Sequence, residues 1–238
     1  MSVQETPQEL SGEHIRESAS GTMRGVEDIH ASVRDLTLRA LRSRRFDRRE
    51  IRDVVRAITE GITLGAEHRR ADMRQSLAAA FRGLDEALRK STEAGQRALR
   101  QLVATGRDFS DHELKQALAD MKKLEDDFLS TVEQVADGAN ERVRPELREL
   151  LNKARHSGTG TGRQIAGMMT EFAQRFSAAS IDVTVGGLEA ASKFSVRFAQ
   201  AAGGVLAGIA DAIKEQPSQR PDESAVARKP ADPGSKIS

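Results

Sequence analysis

Glu27 and His30 stand three residues apart, the spacing at which one helix face presents two metal ligands. A di-metal helical site needs two such pairs and two further glutamates. The other histidines, His14, His68, His112 and His156, are scattered and complete no second pair. No metal site is expected. A second chemistry-bearing stretch, HSGTGTG from His156 to Gly162, precedes a helical segment as a phosphate-binding loop does. It lacks the preceding strand and the Gly-Lys-Ser/Thr ending that give such loops their meaning, so a flexible Gly-rich linker over 156–162 is the favoured reading. With no cysteine in the chain there is no thiolate ligand, disulfide or thiol nucleophile. No nucleophile, base and orienting group can be assembled from the remaining residues, so no catalytic residue, no cofactor and no enzymatic activity are expected.

Charge is more informative. Between Arg34 and Arg56 nine arginines face four acids, a local net of +5 that includes Arg39, Arg42, Arg44, Arg45, Arg48 and Arg49. Such a cluster suits phosphates of nucleic acid or lipid head groups, with Arg42, Arg44, Arg45, Arg48 and Arg49 as the candidate anion-binding residues. Between Asp111 and Asp137 eight acids face three lysines, a net of −5. Pairing between neighbouring helices is the commoner use of complementary blocks, and only Phe46 is available to stack on a base.

A third candidate is apolar. Phe172 and Phe176 are four apart, as are Phe194 and Phe198, and a continuous helix would align all four. With Ile165, Met169, Val183, Val205, Leu206, Ile209 and Ile213 they form a broad apolar face with few charges opposite. Burial against the rest of the protein or a second subunit is the default for such a face. Adhesion to a lipid or other apolar surface is the functional reading, with Phe172, Phe176, Phe194, Phe198 and Ile209 as its contact residues.

The elements that would carry these residues are helices. FDRREI, from Phe46 to Ile51, combines an Asp47 N-cap, a reciprocal Glu50 and a Phe46 to Ile51 staple; FSDHEL, from Phe109 to Leu114, repeats the device with Ser110 and Glu113. Behind the first cap runs the seam Ile51, Val54, Val55, Ile58, Ile62, Met73, Leu77, Phe81, Leu84, Leu88, with a polar gap at Ser91 and a bend expected near Arg69. Behind the second runs Leu118, Met121, Leu124, Phe128, Val132, Val135, Val143, Leu147 and Leu150. Pro145 predicts either a kink or a new helix start. The simplest reading is two long helices folded back at Gly106, preceded by a weaker helix over 13–41.

The composition agrees. Of 238 residues 31% are charged and 3% aromatic, with neither Trp nor Tyr, which favours narrow helix packing over a deep globular core. The expected fold is all-α: an elongated antiparallel helical bundle or coiled coil of about four long helices with disordered termini. Its divisions are a lead over 1–12, a hairpin bundle over 13–155, the linker, a C-terminal amphipathic region over 163–214 and a polar tail over 215–238. No secretory leader and no membrane span are read, and a cytoplasmic location is expected, peripheral to a granule or membrane if the apolar face is used.

The missing cysteine, the Ala-rich amphipathic helices, the Phe-bearing stretch from Phe172 to Phe198 and the polar Pro- and Lys-containing tail together resemble the phasins, bacterial proteins that coat polyester storage granules. In the same respects the chain is similar to other long-helix bacterial proteins. The resemblance is one of character across the chain, without a specific motif, and carries over no functional residue. It implies a non-enzymatic, self-associating scaffold or surface-coating protein that meets a lipid or polyester surface. The alternative is a nucleic-acid-associated protein that binds through Arg39 to Arg56.

Overall fold

Two side-chain caps set where helices begin. In the computed structural model, Asp47 accepts a hydrogen bond from the Glu50 amide at 2.9 Å, and Asp28 accepts one from the Ala31 amide at 2.9 Å. The structure describes residues 10–25, 28–44, 47–69, 72–104, 111–178 and 198–208. They form α1 (Gly12–Gly25), α2 (Ile29–Arg42), α3 (Arg48–Ala66), α4 (Met73–Ala104), α5 (Asp111–Lys122), α6 (Leu124–Gly138), α7 (Arg144–Ser157) and α8 (Gly160–Ala178), with a further helical run over 198–208. The fold is all-helical, and there is no strand among the described residues.

Side-chain pairings give the helix directions. Arg16 meets Glu60, Ser20 meets Gly65 and Met23 meets Arg69, in ascending order on both helices, so α1 and α3 run parallel. Arg48 with Asp127 and Arg56 with Gln134 align α6 beside α3 in the same sense. Arg74 with Glu146, Asp85 with Thr161 and Arg100 with Glu171 lay α7 and α8 end to end along α4. Asp137 with Arg148 and Glu133 with Arg155 run in opposite order, so α6 and α7 are antiparallel. Arg44, just beyond α2, donates to the Leu10 carbonyl just before α1, which brings α2 back to the level where α1 began. The result is two rows: α1, α3 and α6 point one way, while α2, α4 and the α7–α8 pair return.

Both expected long helices are therefore divided. The first does not merely bend near Arg69: α3 ends at Ala66 and α4 starts at Met73, reversed in direction. Arg69, out of place in an apolar seam, donates to the Met23 carbonyl at 2.5 Å and to Ser76 Oγ at 3.2 Å, so it ties the end of α1 to the joint. The second divides at Lys123 and again before Arg144, where Pro145 occupies the first turn of α7 and its missing N–H is no loss. The weaker N-terminal helix divides as well, into α1 and α2.

Close packing in the first row depends on glycine. A Cβ on Gly61 would lie 2.7 Å from Ala19 Cβ and closer still to the Arg16 carbonyl oxygen; one on Gly65 would lie 2.6 Å from the Ser20 carbonyl oxygen. In the second row α2 crosses α4 at Gly83, hard against the His30 carbonyl. One connected core results. It runs from Ile15 through Val54, Ile58, Leu84 and Phe128 to Phe172 and Leu206. Phe81 of α4 and Phe128 of α6 stack with ring centroids 5.2 Å apart and join the rows. The Ser91 gap is filled without cost in unpaired groups, since its hydroxyl donates to the Ala87 carbonyl at 2.8 Å.

Candidate functional site

The apolar C-terminal helix and the clasp at its first turn form the most specific arrangement in the molecule. Along α8, Thr161, Ile165, Met168 and Phe172 recur at helical spacing and are all buried. The opposite side exposes Arg163, Ala166, Gly167, Thr170, Ala173 and Gln174, so Arg163 is the one charge described on that side. Phe172 is only 1% exposed, and Phe198, in the run over 198–208, is buried in the same core. Of Phe176 only the backbone, within α8, is described; Phe194 and Ile209 lie outside the described residues.

The stretch expected as a flexible linker is built differently. Only Gly158 and Thr159 separate α7 from α8, and Gly158 adopts φ 71°, a left-handed conformation that suits glycine. Thr159 caps the new helix, its Oγ1 accepting from the Gly162 amide at 2.8 Å. Two carboxylates from distant helices then close on this turn. Asp85 of α4 accepts from the Gly160 amide at 2.7 Å, the Thr161 amide at 3.0 Å and the Thr161 hydroxyl at 2.8 Å. Glu125 of α6 accepts from the Thr159 hydroxyl at 2.6 Å. A helix N-terminus offers free N–H groups and a positive dipole end, and here the protein's own acids take the place a phosphate would hold. The fit is tight, since a Cβ on Gly162 would run into the Glu125 carboxylate.

Further along, α8 is fastened by a polar chain. Gln164 donates to Gln96 at 2.8 Å, Gln96 donates to Glu171 at 2.6 Å, and Arg100 bonds both oxygens of Glu171, at 2.8 and 2.5 Å. The Glu171 hydrogen bond raises the Arg100 pKa above its ordinary value.

The arginine cluster is divided between carboxylate partners and solvent, with Arg39, Arg42, Arg49 and Arg56 exposed. Arg48 forms a two-pronged pair with Asp127, at 2.8 Å through one prong, and this hydrogen bond raises the Arg48 pKa. Arg44 pairs with Glu50 at 2.9 Å. Arg42 and Arg49 are exposed on the surface, and Arg45 lies outside the described residues. The basic block and the acidic block thus meet between α3 and α6. Among the described residues no group of three ligating side chains assembles. His30 instead pairs with Glu86 at 3.0 Å, while Glu27 lies outside the described residues. No helix among the described residues is long and apolar enough to cross a membrane.

Sequence reasoning missed Asp85 and Glu125. The Thr-x-x-Gly cap at Thr159 was readable, but nothing marks an aspartate some seventy-five positions upstream, lying 75 residues from Gly160, as its partner. This all-helical chain, with its clasped C-terminal helix, belongs to DUF6781, a family of unknown function that matches residues 5–215. No curated protein and no solved structure matches it.

Proposed function

We propose that this protein is a non-enzymatic helical scaffold that self-associates and coats an apolar surface, such as a lipid or polyester granule, through its C-terminal helical region. The observation that carries the reading is the composition of α8. Its buried stripe of Ile165, Met168 and Phe172 is backed by Ala166, Gly167, Thr170 and Ala173 with Arg163 as the one exposed charge described, fewer than on the outer faces of α3 or α4. A helix of this kind is held in a bundle by one face and can settle into an apolar boundary by the same face. The nucleic-acid alternative is weakened because Arg44 and Arg48 already have carboxylate partners.

Flotation of the full chain with droplets coated in neutral lipid tests the proposal. Adsorption that persists at high salt, and that survives Arg42→Glu with Arg49→Glu, is expected, since phosphate-driven binding falls steeply with salt and apolar adsorption does not. No flotation at any salt concentration, or flotation abolished by the arginine changes, refutes it.

A further inference from the structure

Resting on that reading, we infer that Asp85 and Glu125 form an autoinhibitory clasp that keeps the apolar face of α8 closed against the bundle. The polar and apolar fastenings of α8 are segregated along its length. Ile165, Met168 and Phe172 hold its middle turns, whereas the first turn is held by hydrogen bonds to two carboxylates. Those carboxylates come from opposite rows, Asp85 from α4 and Glu125 from α6, so the start of α8 is pinned between them. Thr159 and Thr161 are 3% and 1% exposed while Asp85 and Glu125 are half-buried, so these bonds are partly shielded from water. Charge-assisted bonds in such a setting are strong when made and costly when one partner is wrong.

The joint is suited to movement. Gly158 and Thr159 alone connect α7 to α8, and Gly158 supplies a backbone conformation that other residues rarely adopt. Release of the clasp frees the first turn, and the stripe from Ile165 to Phe172 peels from α4 with Gly158 as the hinge. While the clasp is closed, the surface-seeking face is covered, so the wild-type chain adsorbs only as far as an apolar surface competes α8 away from the bundle.

The clasp is tested by hydrogen exchange of the full chain in solution, with no surface present. Asp85→Asn keeps the size of the side chain but sets an NH2 group where both oxygens accept, and Glu125→Gln removes the charge while leaving Thr159 a neutral acceptor. The double variant is expected to exchange its α8 amides roughly 10- to 100-fold faster while α1 and α3 keep their protection. Unchanged protection of α8 overturns the proposal. If the double variant loses protection everywhere, Thr161→Val, which removes one hydroxyl and preserves volume, decides the matter: selective opening of α8 supports the clasp, and uniform loss or no change overturns it. Droplet flotation of the same variants separates the two readings. Faster α8 exchange with stronger flotation supports both, whereas faster exchange without added flotation leaves only a structural fastening and overturns the autoinhibitory role, and failure of wild type and variants alike to float refutes the coating role.

Discussion

Replacing Gly61 by alanine should destabilise the protein although alanine is the better helix former. The new Cβ would sit 2.7 Å from Ala19 Cβ, about 0.7 Å inside the 3.4 Å at which ordinary contact begins, and closer still to the Arg16 carbonyl oxygen. Both obstacles are fixed to the backbone of α1, so the whole helix has to retreat. A gap of that size forfeits roughly a quarter to a half of each dispersion contact along the facing row. That row includes Ile15, Ala19 and Met23, each fully buried. Overpacking of this kind costs about 1–3 kcal/mol, and relief of glycine's backbone entropy returns about 0.5–1 kcal/mol. The net loss is up to about 2.5 kcal/mol, or a fall in Tm of up to roughly 10 °C for a chain of this size. Gly21, exposed on α1 with nothing within 4 Å of an added Cβ, is the internal control. There the same substitution should stabilise by about 0.5–1 kcal/mol. Urea unfolding followed by helical circular dichroism, read as a midpoint at constant slope, measures both. Equal midpoints for Gly61→Ala and Gly21→Ala would refute the close approach of α1 and α3.

Arg69→Ala removes the donor to the Met23 carbonyl and to Ser76, and should cost about 1–3 kcal/mol because a charged donor is lost at a half-buried joint. Hydrogen exchange should show the last turn of α1 opening first. Glu133 is held below its ordinary carboxylate value, chiefly by the hydrogen bond from Arg155, which joins α6 to α7. Because the folded-state value lies below the unfolded one, this bond stabilises at pH above the ordinary carboxylate range and is lost as pH falls through the lowered value. Wild type and Glu133→Gln should therefore differ in stability at neutral pH and converge in acid, as followed by thermal unfolding across the pH range.

Much of the local structure was legible because its causes are local. The Asp47 cap works within a single turn, and the seam residues Val54, Ile58, Leu77, Leu84, Leu118, Phe128 and Val132 are buried as their spacing requires. Pro145 marked a helix boundary by chemistry alone. The division at Arg69 was half legible: the break in periodicity was visible, but a bend and a reversal leave the same trace in sequence. Only the carbonyl of Met23, on another helix, explains why an arginine belongs there.

The candidate sites were less legible for the same reason. The basic and acidic blocks could be counted, but their meeting between α3 and α6 depends on two helices lying parallel at an offset of 79 positions. Glycines 61 and 65 form the surface on which α1 rests. His156 to Gly162 read as a linker because glycine is locally permissive, and the two carboxylates that fasten its end arrive from α4 and α6.

The sequence by itself determined that the chain is helical, where several helices start, and which stripe of each is apolar, since caps and periodicity act over three or four residues. The parallel and antiparallel helix pairs, the glycines that set the helix spacing within each row, and the closing of the first turn of α8 by Asp85 and Glu125 are products of tertiary structure. Those outcomes rest on contacts between residues far apart in the chain, and the local signals of a sequence do not encode which distant carboxylate meets which amide.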